Sequence, residues 1–234
     1  MDRVCRTLLV ATVCLALSPR PRAQAPADPS GHWEGSIEIP GSTLNFVVDL
    51  EKNSKGELIG ALNGADVKNL PLTRVAVEGR SVSFQASADQ PYKGELSADG
   101  KSMSGTVILS GYSLPLTFSR TGDPRIEPPP TGAPIGKELE GTWSGTLVTD
   151  AKSLRLVLTM TNQPDGRAIA RILSVDEGGL IVPVVITQNA SSVSYISTSI
   201  PLSWAGVLNA DGTELSGTFT QRSMSLPLTF RRQP

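Results

Sequence analysis

Cysteine and histidine are nearly absent from this chain of 234 residues, which has two Cys and one His. Both cysteines, Cys5 and Cys14, lie in the leading segment. No disulfide framework and no Cys-ligated metal is therefore expected in the folded part. Charge is scarce too: charged residues make up 18%, net charge is −1, and Lys and Arg form no cluster. This excludes the basic footprint of a nucleic-acid binder. Helical periodicity and a Gly-rich phosphate loop leading into a helix are missing. So is the G-x-S-x-G elbow of a serine hydrolase, the nearest string being GYSLP at 111–115. The chain is expected to be no enzyme and to hold no cofactor or metal.

The leading segment reads as an address. Arg3 and Arg6 precede a mostly apolar run at 7–17, and Ala23, Ala25 and Ala27 follow. A basic stub, a short apolar run and an A-x-A-like site describe a secretory signal peptide over 1–27, cut after Ala25 or Ala27. The run is shorter than the roughly 20 residues a bilayer-spanning helix needs. The expected location is secreted or periplasmic, with no integral membrane segment after cleavage. From Asp28 onward, 17 Lys and Arg stand against 21 Asp and Glu, a net charge of −4.

What the sequence has is repetition. GHWEGSIEI from Gly31 answers GTWSGTLVT from Gly141, about 110 residues on. YKGELSADGKSMSGT from Tyr92 answers WAGVLNADGTELSGT from Trp204, and SLPLTFSR at 113–120 answers SLPLTFRR at 225–232. Gly56 matches Gly166 and Pro71 matches Pro183. The chain reads as a tandem duplication, with copies at 28–120 and 138–234. Between them, 121–137 carries five prolines and is expected to be an extended, polyproline-like spacer that no sheet could use. Cutting within 127–133 is expected to release two separately folding halves.

Within a copy the signal is alternation with period two. Trp33, Gly35, Ile37 and Ile39 share one face, as do Leu44, Phe46, Val48 and Leu50. Eight strands are expected per copy: 33–39, 43–51, 56–63, 70–77, 80–86, 92–97, 102–109 and 113–120, with turns at Pro40-Gly41, Lys55-Gly56, Glu78-Gly79, Asp99-Gly100 and Gly111. Such a pattern suits an up-and-down antiparallel barrel or a sandwich. Closure is favoured because an open sheet leaves edges that recruit other chains. The predicted fold class is all-β: two tandem eight-stranded up-and-down antiparallel barrels.

Closure sets Trp33, near the start of the first strand, beside Arg120, near the end of the last, with the guanidinium over the indole. Trp143 and Arg232 repeat this. The arrangement resembles the calycin superfamily (lipocalins, fatty-acid-binding proteins, avidins), in which a G-x-W on strand one packs against a basic residue of the last strand. The copies also resemble a module preceding the catalytic domain of some secreted bacterial α/β-hydrolases. Gly31, Trp33, Gly35, Leu70-Pro71, Tyr92, Gly94, Leu96, Gly105-Thr106, Leu114-Pro115-Leu116, Phe118 and Arg120 carry that likeness. In the second copy it is carried by Gly141, Trp143, Gly145, Gly206, Leu208, Gly217-Thr218, Leu226-Pro227-Leu228, Phe230 and Arg232. The second copy departs from it with Trp204 for Tyr92 and Val182-Pro183 for Leu70-Pro71. No hydrolase domain is expected after Pro234.

With the Trp–Arg pairs as barrel floors, the connections at 40–42, 63–69, 87–91 and 110–113 form the opposite mouth. Tyr92 and Tyr112 are expected near that rim, with Trp204 as the second copy's counterpart, as candidate contacts for an apolar ligand. The inward positions offer no convergent polar group, so barrels filled by their own side chains are the competing expectation. His32 alternates outward opposite Trp33 and is expected to face solvent. Glu34, Glu38, Asp49 and Glu51 are read as solvated surface charge, and Asp99 and Asp211 as turn residues. Asn189-Ala190-Ser191 is a glycosylation sequon by pattern. The expected role is a monomeric, non-enzymatic binder of a small apolar ligand or a protein partner. The alternative is an accessory module assisting a separate secreted α/β-hydrolase.

Overall fold

The computed structural model describes residues 27–64 and 66–234. Ala25 and the rest of the signal-like segment ahead of Ala27 lie outside them. The described residues form seventeen strands. The first set is β1 (Gly31–Ile39), β2 (Ser42–Lys52), β3 (Leu58–Gly64), β4 (Val67–Pro71), β5 (Thr73–Glu78), β6 (Ser81–Gln85), β7 (Pro91–Leu96), β8 (Ser102–Leu109) and β9 (Tyr112–Gly122). The second is β10 (Gly141–Val148), β11 (Ser153–Asn162), β12 (Ala168–Ser174), β13 (Leu180–Asn189), β14 (Ser192–Ser197), β15 (Leu202–Leu208), β16 (Glu214–Gln221) and β17 (Met224–Arg232). All pairing is antiparallel. The second set is a closed barrel of eight strands in sequence order.

The first set is a nearly closed sheet of nine, ordered β4-β3-β2-β1-β9-β8-β7-β6-β5. Here the expectation of eight strands needs correction. The strand expected at 70–77 is split at Leu72, and Asn69 and Arg74 take left-handed dihedrals (φ 46° and 50°) that a regular strand does not have. Its first part, β4, pairs with β3, and its second, β5, pairs with β6. The counterpart in the second copy, β13, runs unbroken through Pro183.

Alternation places the core as the pattern demands. In the first barrel Trp33, Ile37, Val48, Leu50, Leu96 and Met103 point inward and are buried. In the second, Trp143, Leu147, Leu158, Met160, Ile172 and Leu215 do the same. A single 3-10 turn at Val175–Glu177 is the only helical segment among the described residues.

The two barrels meet mouth to mouth. Lys68 N–H, at the start of β4, donates to Ser199 O of the β14–β15 connection at 2.9 Å. Ala88 N–H of the β6–β7 connection donates to Glu177 O at 3.0 Å. Leu70 and Ala86 of the first barrel belong to the second barrel's core cluster, with Leu62, Val67 and Leu72 packed against it. The proline-rich segment is likewise no free spacer. Arg125 N–H donates to Asp49 Oδ1, Asn69 exchanges two hydrogen bonds with the Glu127 backbone, and Gly132 forms a β-bridge with Ala168. Asn162 holds both backbone groups of Ile135. Side-chain amides supply the partners that proline-interrupted backbone cannot find in a regular ladder, so the segment is a strap bound along both barrels.

Candidate functional site

The floors are built alike. Arg120 and Trp33 are Cα partners across β9 and β1, and the guanidinium carbon lies 4.7 Å from the ring centroid. Arg232 and Trp143 repeat this at 4.5 Å. The indole N–H donates to Pro29 O in the first barrel and to Leu139 O in the second, each at 2.9 Å. Arg232 also donates to Gly212 O and Glu140 O, whereas Arg120 reaches Asp28 O only and its Nε is buried without a partner. Asp28 takes hydrogen bonds from the Ser30 hydroxyl and amide and from Lys52, which hold its carboxyl below the usual range.

Above each floor an aromatic trio fills the barrel. Tyr92 stacks on Phe84 at 4.8 Å with Phe118 edge-on. Trp204 stacks on Tyr195 at 5.6 Å with Phe230 edge-on. Tyr92 and Trp204 are thus buried core residues, which corrects their expected place at an open rim. Their inward register points the rings down the barrel over glycines: a Cβ on Gly206 or Gly217 would stand 2.6 Å from the Trp204 ring, and one on Gly94 would strike the Tyr92 hydroxyl. The hydroxyls of Tyr92 and Tyr195 are buried without partners, and burial pushes both phenols well above their ordinary value of 10.0. Tyr112, at the β8–β9 hairpin, is 72% exposed and touches neither trio.

Little room remains inside. The first barrel holds an apolar cavity of about 30 Å³ lined by Phe46, Leu62, Leu72, Ala86, Leu109 and Phe118 among others. One water occupies about that volume, while ligand sites run to about 300–1,000 Å³. The larger depressions lie on the surface. One of about 470 Å³ lies between the barrels, by Asp66, Lys68 and Ser199. Another of about 650 Å³ lies beside Pro128, Pro129 and Pro164. Among the described residues one ion pair spans the contact between barrels, with Arg222 3.3 Å from Asp66. Within the second barrel Arg155 pairs with Asp176 and holds that carboxyl below its usual range.

His32 does not face solvent. Its Nδ1–H donates to Asp49 Oδ1 at 2.6 Å, Asp49 is 1% exposed, and the strap covers both. Alternation placed both residues outside the barrel correctly, but nothing in that pattern showed that a later segment would cover the outer face. His32 Nε2 lies 3.5 Å from Glu34 Oε1, which accepts from Thr121 Oγ1. No group of His, Cys, Asp and Glu suited to a metal occurs among the described residues. The contact between barrels was missed as well. Its signal was the apolar residues at and beside the rim connections, Leu70 and Ala86 in one copy and Ile200 in the other.

No family model matches the chain. No curated protein matches it either. Among solved structures it is similar to a candidate outer membrane protein from Bacteroides fragilis, with 12% identity over 87% of this chain and 95% of that one and a TM-score of 0.26. It is also similar to a DUF3598-family protein of unknown function from Nostoc punctiforme, with 14% identity over 87% and 96% and a TM-score of 0.28. A third is the Pseudomonas aeruginosa MucA/MucB complex, with 12% identity over 87% and 88% and a TM-score of 0.21. At such identities and scores none of them bears on what this chain does.

Proposed function

We propose that the chain is a non-enzymatic, extracytoplasmic binding protein that engages a protein partner through its outer surface. The observation carrying this reading is the filled interior: the first barrel keeps a cavity of about 30 Å³, and the mouths close on each other through Leu70, Ala86 and the second barrel's core. An apolar molecule of ligand size has neither space nor an opening there. A placement outside the cytoplasm is supported by the signal-like leader. Native mass spectrometry of the exported protein tests the reading. The expected mass is that of the bare processed chain. A retained apolar molecule of a few hundred daltons would move the function back inside a barrel.

A further inference from the structure

In the second barrel the β12–β13 ladder stops at Ala170 opposite Val184. Towards the floor the strands diverge, and the strap enters between them. Gly132 N–H donates to Ala168 O at 2.9 Å, and Ala168 N–H donates to Gly132 O at 3.1 Å. A Cβ on Gly132 would stand 2.5 Å from Ile186 O, so the passage takes glycine alone. Three residues on, Ile135 is buried in the core, and Gly136 N–H donates to Gln188 Oε1 at 2.7 Å.

At the corresponding place the first barrel also leaves its two strands, β3 and β5, unpaired with each other, and no described residue pairs with either edge there. The offsets that match Trp33 to Trp143 and Pro71 to Pro183 equate Leu58 with Ala168 and Arg74 with Ile186. The β3–β4 pairing ends where Leu72 N–H donates to Gly60 O, and β5 pairs with β6 alone. Main-chain groups alternate sides with period two, so those of Leu58 face the same way as those of Gly60, towards β5. Beside this edge Ile59 is 36% exposed, and Arg74 and Ala76 are exposed. By the same offset the counterparts of Gly132 and Gly136 are Arg22 and Pro26, in the segment read as a signal peptide.

We propose that the seam between β3 and β5 accepts an extended segment of a protein partner by strand addition. This rests on reading the chain as a protein binder, and it names how the partner is held. Unpaired edges template an added strand through main-chain hydrogen bonds. Residues 131–136 of the strap show the chemistry that fits: uncharged, with glycine where the backbone passes between the edges and an aliphatic residue three positions later. The clamps differ, because Lys52 stands where the second barrel has Asn162, and Ala76 where it has Gln188. Neither grips a backbone as those amides do, so the occupant exchanges where the strap cannot.

The test is amide hydrogen exchange on the exported chain, with a synthetic peptide of the strap sequence TGAPIGK (131–137) as probe and its G132P form as control. Without peptide, Leu58 is expected to exchange at least about tenfold faster than Ala168. Millimolar peptide should slow Leu58 by a similar factor, and the control, which lacks the donor N–H, should not. The same segment fused ahead of Asp28 should protect Leu58 in cis. Leu58 as protected as Ala168 from the outset would overturn the proposal, whether closed by β5 or by retained residues 22–26. So would equal protection by both peptides, or a fusion that leaves Leu58 exchanging fast. A fusion that protects Leu58 in a chain that retains an apolar molecule on export would leave the acceptor standing and refute the functional reading.

Discussion

His32 and Asp49 face each other at 2.6 Å on the outside of the first barrel, beneath the segment that leaves it. Asp49 Oδ1 also accepts from Arg125 N–H, so one carboxylate ties two strands to the strap. Asp49→Ala strands a buried donor on His32, worth about 1–3 kcal/mol, and a part-buried one on Arg125. The expected result is a loss of about 2 kcal/mol or more by urea titration, with faster proteolysis near Arg125. Asp49→Asn keeps an acceptor and should cost less; equal losses would show that acceptance is not what the residue provides. His32→Ala should leave partner binding intact, and a large loss of binding would reopen a functional role for the imidazole.

The mouth-to-mouth contact changes what cleavage of the strap does. Because Leu70 and Ala86 sit in the second barrel's core, a cut within 127–133 should leave the halves associated, eluting as one species of unchanged size. Leu70→Glu buries an unpaired charge in that contact and should make the nicked protein separate. Nicked wild-type halves that part in dilute buffer would refute the contact.

The two floors should not be equally sensitive to loss of their arginines. Each gives a ring contact worth about 0.5–2 kcal/mol, but only Arg232 donates to two backbone carbonyls. Arg232→Ala is expected to cost about 2–3 kcal/mol and Arg120→Ala about 1–2 kcal/mol. Thermal melting of the two variants reads the difference, and the reverse order would contradict the hydrogen-bond assignment.

Alkali should unfold the protein through its buried phenols. Tyr92 and Tyr195 have folded-state values raised above 10.0, so they favour the folded state below that pH and oppose it as pH rises further, when only the unfolded chain ionises. Phenolate absorbance from these two residues should appear together with unfolding. Substituting Tyr195→Phe, which removes an unpartnered hydroxyl, should move the alkaline transition upward. Phenolate signal from both while the fold persists would refute their burial.

Much of this was legible in the chain. Period-two alternation assigned Trp33, Ile37, Val48 and Leu50 inward, because each side chain's face follows from its parity along the strand. The duplicated G-x-W and terminal Arg predicted how each sheet meets itself, since neighbouring first and last strands bring those residues to one end. The split at Leu72 was not legible, because Pro71 and Pro183 match while only one copy breaks. Nor was the burial of His32 and Asp49, which depends on a strap distant in sequence, or the descent of Tyr92 and Trp204 from rim to core, where each ring lies over glycines of its own and the neighbouring strand and packs against Phe118 or Phe230 of the last strand. Local periodicity therefore determined strands, facing and the two-barrel plan. What covers an outer face, what fills a barrel and which edge stays unpaired were decided only in the tertiary structure, because each depends on residues far apart in the chain competing for the same space.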